Sequence, residues 1–218
     1  MSSEYLFNIQ TVQSGAFRVL VEALKDILTD CNFIVDKTGI KLIATDNSHN
    51  VLIHMKLKAE NFDYYECKEK ITIGVNMTNM YKLIKTMSNN ETLTLFIDKL
   101  YPNQLGIQMN NNDKNTKTTY KLNLLDIDDE DINIPPASFE TELTLPSSDF
   151  QKLVRDMTNI GEHVEVKSVG STLMFNCNGD FASQETTLGE TQNGLQFSQS
   201  SAPETPIQGI FSLKYLLL

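Results

Sequence analysis

The sequence predicts an α+β fold built twice, with antiparallel sheets and two helices per domain. Three observations predict it: a helical stripe that occurs twice, a hairpin pattern behind each copy, and a later strand-to-helix segment that also recurs. Ser14 to Ile27 and Ser147 to Ile160 carry the same stripe, 133 residues apart (147 − 14). Phe17, Leu20, Val21, Leu24 and Ile27 answer Phe150, Leu153, Val154, Met157 and Ile160. This spacing puts all of these side chains on one face of a 3.6-residue helix. A repeat this long means two similar domains, because solenoid units run only about 20–50 residues.

Behind the first helix comes Asn32-Phe-Ile-Val-Asp-Lys-Thr-Gly39, and behind the second His163-Val-Glu-Val-Lys-Ser-Val-Gly170. Alternation closed by glycine reads as a hairpin, twice. The segment from Gly74 to Ile84 is matched to Gly209 to Leu217, at an offset of 135 (209 − 74). Further alternating runs predict strands at Val51–Leu57, Leu93–Ile97, Leu105–Met109 and Tyr120–Leu124. The second half offers Phe139–Leu145, Thr172–Cys177, Leu195–Phe197 and Ile207–Phe211. Helices on one face of antiparallel sheet are the arrangement that buries both stripes.

Asn110 to Thr116 is polar and reads as a hairpin loop, and Gln184 to Pro206 as a weakly specified strand and mobile loop. The joint between halves holds five carboxylates between Asp126 and Asp131, then Pro135 and Pro136. Charge and proline forbid a central strand there and disfavour a helix interior. The expected limits are a first domain at 1–121, a linker at 122–136 and a second domain at 137–218. The second copy stops inside its second helix, so it is expected to be incomplete.

Composition bounds the function. At 218 residues, two domains can each hold a core. No run of about 18 apolar residues is present, which excludes a membrane helix as a reading. Met1 to Gln10 lacks the charged and apolar regions of a signal peptide, which argues for an intracellular protein. Cys31, Cys67 and Cys177 are odd in number and far apart, and read as buried or half-buried thiols. The net charge of −10 argues against a nucleic-acid partner only on average, since local arrangement sets local potential.

Chemical motifs are scarce. The acidic run from Asp126 fails the EF-hand pattern, because Asp131 and Ala137 stand at its sixth and twelfth places. A metal-dependent nuclease using Asp128 and Asp129 would need rigid elements to hold shared ions, which a linker does not supply. His49, His54 and His163 have no metal-ligand spacing. No nucleophile signature, phosphate loop or dinucleotide fingerprint occurs, so an enzyme, a cofactor and a metal are not expected.

Basic residues instead collect on helices: Arg18 and Lys25 on the first, Lys82 and Lys85 on the next, Lys152 and Arg155 on the second-half helix. Each pair shares one helix side. Any one pair is what an ordinary solvated helix shows. Six of 18 bases on three helices of an acidic protein predict a polarised molecule. Such a face, without a recognition motif, would contact phosphates and not read bases.

Specific blocks then carry a resemblance. They are Val21-Glu-Ala-Leu-Lys-Asp-Ile27, Asp46-Asn-Ser-His49, Ile73-Gly-Val-Asn-Met-Thr-Asn-Met80, Leu124-Leu-Asp-Ile-Asp128, Ile134-Pro135 and Arg155-Asp-Met-Thr-Asn-Ile-Gly161. Through them the chain, from about Leu6 onward, resembles the proliferating cell nuclear antigen family, the eukaryotic and viral DNA sliding clamps. The resemblance implies duplicated DNA-clamp domains of the processivity fold, three subunits closing a ring around duplex DNA, and helices lining the hole. Arg18, Lys25, Lys82, Lys85, Lys152 and Arg155 would then be DNA-binding residues in the pore. Thr45, His49, Asn50, Ile132, Ile134 and Pro135 would border a pocket for partner peptides of the PIP-box type.

By the same resemblance the partners would be duplex DNA, DNA polymerase, other PIP-box proteins and a clamp loader, in the nucleus or a viral replication compartment. A homotrimer would join Thr116–Leu122 to Phe181–Thr187 of a neighbour. Thr45 and Asn50 depart from the larger apolar residues common in the family, and Gly170 stands where many members carry lysine. A hetero-oligomeric checkpoint-type clamp subunit is the alternative that the resemblance leaves open.

Overall fold

A computed structural model describes residues 4–128, 132, 138–139, 141–199 and 205–217. Ile134 and Pro135, both expected at the peptide pocket, lie outside the described residues, as does most of the acidic run. The chain divides into two compact units, Met1–Asn133 and Ile134–Leu218.

In the first unit, β1 (Tyr5–Thr11) leads to helix α1 (Ser14–Ile27), the hairpin β2 (Asp30–Asp36) and β3 (Gly39–Thr45), then β4 (Leu52–Lys58). After a single 3₁₀ turn come β5 (Tyr64–Cys67), β6 (Ile71–Asn76), α2 (Met77–Ile84), β7 (Thr92–Asp98), β8 (Gln104–Asn111) and β9 (Thr116–Asn123). They form two antiparallel sheets, ordered β5-β1-β7-β8-β9 and β4-β3-β2-β6. Val21 and Leu24 of α1, Met77, Met80 and Ile84 of α2, and inward residues such as Phe7, Leu42, Val75 and Ile107 close one apolar core. The alternation in β7 and β8 is what a sheet with one buried face requires.

The second unit holds β10 (Glu142–Thr144), α3 (Ser147–Thr158), β11 (His163–Val169), β12 (Thr172–Asn178), β13 (Ser183–Gly189), β14 (Gln196–Gln199), β15 (Ile207–Ser212) and a last helical turn, α4 (Leu213–Leu216). Its four-stranded sheet runs β13-β12-β11-β15, and β10 pairs with β14. Val154, Met157, Val164, Phe175, Cys177 and Leu213 are among the buried residues of its smaller core.

The predicted duplication is present, with one change of register. Asp30 pairs with Asn76, and 133 residues later His163 pairs with Ser212. The Met77 amide donates to Thr29 as the Leu213 amide donates to Glu162. The true offset at this strand is therefore 136 (212 − 76), not 135, and Gly74 corresponds to Ile210 and not to Gly209. The glycine match misaligned the copies because identity is cheap at glycine, whereas hydrogen-bond register fixes which side chains face the core.

Strands β1 and β5 were not anticipated, and β13 lies at the start of the segment expected to be a weakly specified strand and loop. At the other end, β9 runs to Asn123, and Leu125 forms an isolated bridge with Gly74. The chain expected to leave the first domain at Leu122 thus stays on it through Leu125. Asn32 continues the attachment, its Nδ2 donating to the Ile127 carbonyl at 3.0 Å.

Candidate functional site

Helices α1 and α2 pack side by side, and their polar sides carry four of the six expected DNA contacts. Arg18 points to the turn after α2, where Nη1 donates to the Met87 carbonyl at 2.6 Å and Nη2 to Asn89 Oδ1 at 3.5 Å. A cation there meets carbonyls that lack partners within the helix and the negative end of its dipole. Ser14 ties the same two segments, its hydroxyl donating to the Ser88 carbonyl at 3.1 Å.

Lys25 is held more closely. Its Nζ lies 2.6 Å from Asp26 Oδ1 and 4.8 Å from the centre of the Tyr81 ring. Asp26 raises the lysine pKa through that hydrogen bond, with Glu22 contributing by charge. The Tyr81 hydroxyl donates to Glu22 Oε1, and the carboxylate in turn pushes the phenol pKa up.

Lys82 and Lys85 differ. Among the described residues, Lys82 Nζ reaches only the neutral Asn79 side-chain amide, at 3.5 Å, and Asn79 is itself fixed by the Asn76 side chain that caps α2. Lys85, at the end of α2, makes no side-chain hydrogen bond or ion pair among the described residues. In the second unit, Lys152 and Arg155 are exposed on α3, opposite buried Val154 and Met157.

A second feature lies on the other sheet of the first unit. A groove of about 610 Å³ runs beside β2 and β3 and is bounded by Ile127, Asp128 and Ile132 of the linker. Thr45, His49 and Ile132, three of the expected peptide contacts, line it together. Asn50 belongs to the same loop but does not line the groove. Sequence reasoning had not named Ile34, Ile43, Ala44 and Lys70, which also line it. The signal for Ile43 was its outward place in an alternating strand, since large exposed aliphatics on a sheet face mark contact surfaces.

The loop at the groove is built around one carboxylate. Asp46 is 3% exposed, and its Oδ1 accepts the amides of Asn50 at 2.8 Å and Val51 at 2.7 Å. Oδ2 accepts the Ser48 amide at 3.2 Å and the Ser48 hydroxyl. The turn forces His49 to a φ of 55°, and its Nδ1 is 3.0 Å from the Thr45 hydroxyl. At the other wall, burial and the Asp30 charge push the Cys31 thiol up to about 12. Among the described residues, no three His, Cys, Asp or Glu side chains are placed to hold a metal ion.

Comparison with known families decides what these surfaces belong to. The model of the proliferating cell nuclear antigen N-terminal domain matches residues 6–131, and that of its C-terminal domain matches residues 133–218. The chain belongs to the proliferating cell nuclear antigen family. It is similar to a probable DNA polymerase sliding clamp 1 of Paramecium bursaria Chlorella virus 1, with 34% identity over 97% of this chain and 81% of that protein. A proliferating cell nuclear antigen of Chaetomium thermophilum is 34% identical over 94% of this chain and 80% of that protein.

The crystal structure of proliferating cellular nuclear antigen from Entamoeba histolytica superposes with a TM-score of 0.84 at 25% identity, covering 98% of this chain and 83% of that one. As a proliferating cell nuclear antigen relative the chain is a DNA sliding clamp, a non-enzymatic processivity factor of replication. The duplicated α+β clamp fold read from the sequence is the fold of this family.

Proposed function

We propose that this clamp encircles duplex DNA as a homotrimer and tethers DNA polymerase and other proteins through PIP-box peptides, after a clamp loader opens the ring. The observation that carries the reading is the groove formed by the β3 end, the Asp46 loop and the linker's Ile127 and Ile132. Its apolar residues suit a short peptide with aliphatic or aromatic anchors. Thr45, His49, Asn50, Ile132, Ile134 and Pro135 are proposed as the peptide-binding set. Arg18, Lys25, Lys82, Lys85, Lys152 and Arg155 are proposed as the DNA-facing bases, contacting phosphates without reading sequence.

The nucleus or a viral replication compartment is where such a protein would act. Binding of a fluorescent PIP-box peptide tests the partner site: Ile132→Asp and Ile43→Asp should each weaken it at least about tenfold, as loss of a buried apolar anchor does. Unchanged affinity in both would reject the groove. Topological binding is tested separately: the loaded protein should persist on circular DNA and slide off after linearisation. Equal loss from both would reject encirclement.

A further inference from the structure

The linker is tied to the first unit at two successive points, and both fall on one pair of register partners, Gly74 of β6 and Asn32 of β2. The Leu125 amide donates to the Gly74 carbonyl at 2.8 Å, and two residues later the Ile127 carbonyl accepts from Asn32 Nδ2 at 3.0 Å. Between those positions the linker moves from the edge strand to its neighbour. A Cβ at position 74 would stand 2.2 Å from the Leu125 carbonyl oxygen and 3.1 Å from Asn32 Oδ1, so the glycine leaves room for both ties. Among the described residues, no later linker position is held by a hydrogen bond. Asn32 is thus the last polar tie before Asp128 and Ile132, which line the groove together with Ile127. We propose that Asn32 is a positioning residue of the partner site, its amide fixing Ile127 and through it the linker wall against which a peptide packs. This deepens the reading of the groove as the peptide site and rests on it.

The side chain supplies what the backbone cannot. Strand β2 lies between β3 and β6, so its own amides are engaged within the sheet. A side-chain amide rising from the sheet face adds donors that the ladder does not use. A wall fixed in advance favours binding, because ordering backbone at the moment of association subtracts from affinity. With Asn32 in place, residues 126 and 127 are ordered before the peptide arrives. Without it the last tie falls back to Leu125. The same bond contributes little to global stability, since a single half-buried hydrogen bond has a modest net worth. Asn32 also lines the groove, so its action through the linker must be separated from direct contact with the peptide.

The test combines affinity of the full chain for a fluorescent PIP-box peptide with ¹⁵N relaxation of the peptide-free protein. Asn32→Ala should weaken the peptide about fivefold or more. The order parameter of Ile127 should fall toward the flexible range, below about 0.6, while those of β2 stay rigid. Asn32→Asp keeps the shape but loses the donor, because a carboxylate only accepts. Asn47→Asp places the same charge in the same groove, and Asn32→Asp should weaken binding more than it does. Gly74→Ala displaces the same stretch of linker, so adding Asn32→Ala to it should cost little further affinity. Losses that multiply in the double variant would show direct contact with the peptide and overturn the proposal. Unchanged affinity or an unchanged Ile127 order parameter in Asn32→Ala would overturn it too. If Ile43→Asp and Ile132→Asp leave affinity intact, the groove reading itself fails; if they weaken binding and Asn32→Ala does not, only the role of Asn32 falls.

Discussion

Gly74 and Leu125 make a backbone bridge that only a glycine permits: the Leu125 amide donates to the Gly74 carbonyl at 2.8 Å. A Cβ at position 74 would lie 2.2 Å from the Leu125 carbonyl oxygen, far inside van der Waals contact. Both atoms in that clash are held by backbone, so a side chain must displace the linker. Gly74→Ala is therefore expected to destabilise the first unit by about 1–3 kcal/mol, the usual cost of overpacking. Faster hydrogen exchange at the Leu125 amide, with weaker peptide binding, would mark the detachment. Wild-type exchange at that amide would contradict it.

Asp46 accepts three backbone amides and a hydroxyl while almost wholly buried. Asp46→Ala leaves those donors without an acceptor, and each unsatisfied buried group costs about 1–3 kcal/mol. We expect a loss of at least about 2 kcal/mol in urea unfolding, together with a lower affinity for peptide because Thr45 and His49 lose their frame. A stability change below about 0.5 kcal/mol, the scale of an ordinary surface substitution, would show that the loop holds itself.

Asp36 anchors the first hairpin. Its carboxylate accepts Lys41 Nζ at 2.7 Å and the Thr38 amide at 2.6 Å, and also the Thr38 hydroxyl. The Lys41 hydrogen bond first, then those from Thr38, hold it well below the usual carboxylate range. A depressed folded pKa contributes stability that is complete above the unfolded value near 4 and is lost as pH falls through the folded one. The stability difference between wild type and Asp36→Asn should be constant from neutral pH to about 5 and shrink below about 4. A difference that grows with acidity would reverse the assignment.

The three thiols are all buried and all shifted upward, chiefly by desolvation. With Cys31 at about 12, only about one part in ten thousand is thiolate at pH 8. Iodoacetamide should therefore spare Cys31, Cys67 and Cys177 in the folded protein and modify all three in denaturant. Rapid labelling of the native chain at Cys31 would show that the groove wall opens.

How much could be seen in the residues follows from what each signal measures. Helix α1 begins and ends where its stripe predicted, because a face that must be buried sets its own period. Strand β13, Ser-Gln-Glu-Thr-Thr-Leu-Gly, has polar residues on both faces and is fixed by backbone pairing to β12, which leaves no hydropathy signal. The bases on α1 and α2 were legible. Their inequality was not, since Tyr81 meets Glu22 across 59 residues of sequence. The groove was half legible: Thr45, His49 and Ile132 came from family likeness, while Lys70 enters only through the fold.

Duplication alone would give each half the same berth along the outer edge of its sheet. The register makes Ile210 the counterpart of Gly74, so a side chain 73% exposed stands in the second unit at the position where the first has only a hydrogen atom facing the linker. One branched aliphatic in place of a hydrogen atom thus breaks the internal symmetry. The linker crosses close against the backbone of the first copy, and the same approach at the second would meet a side chain before it reached the strand.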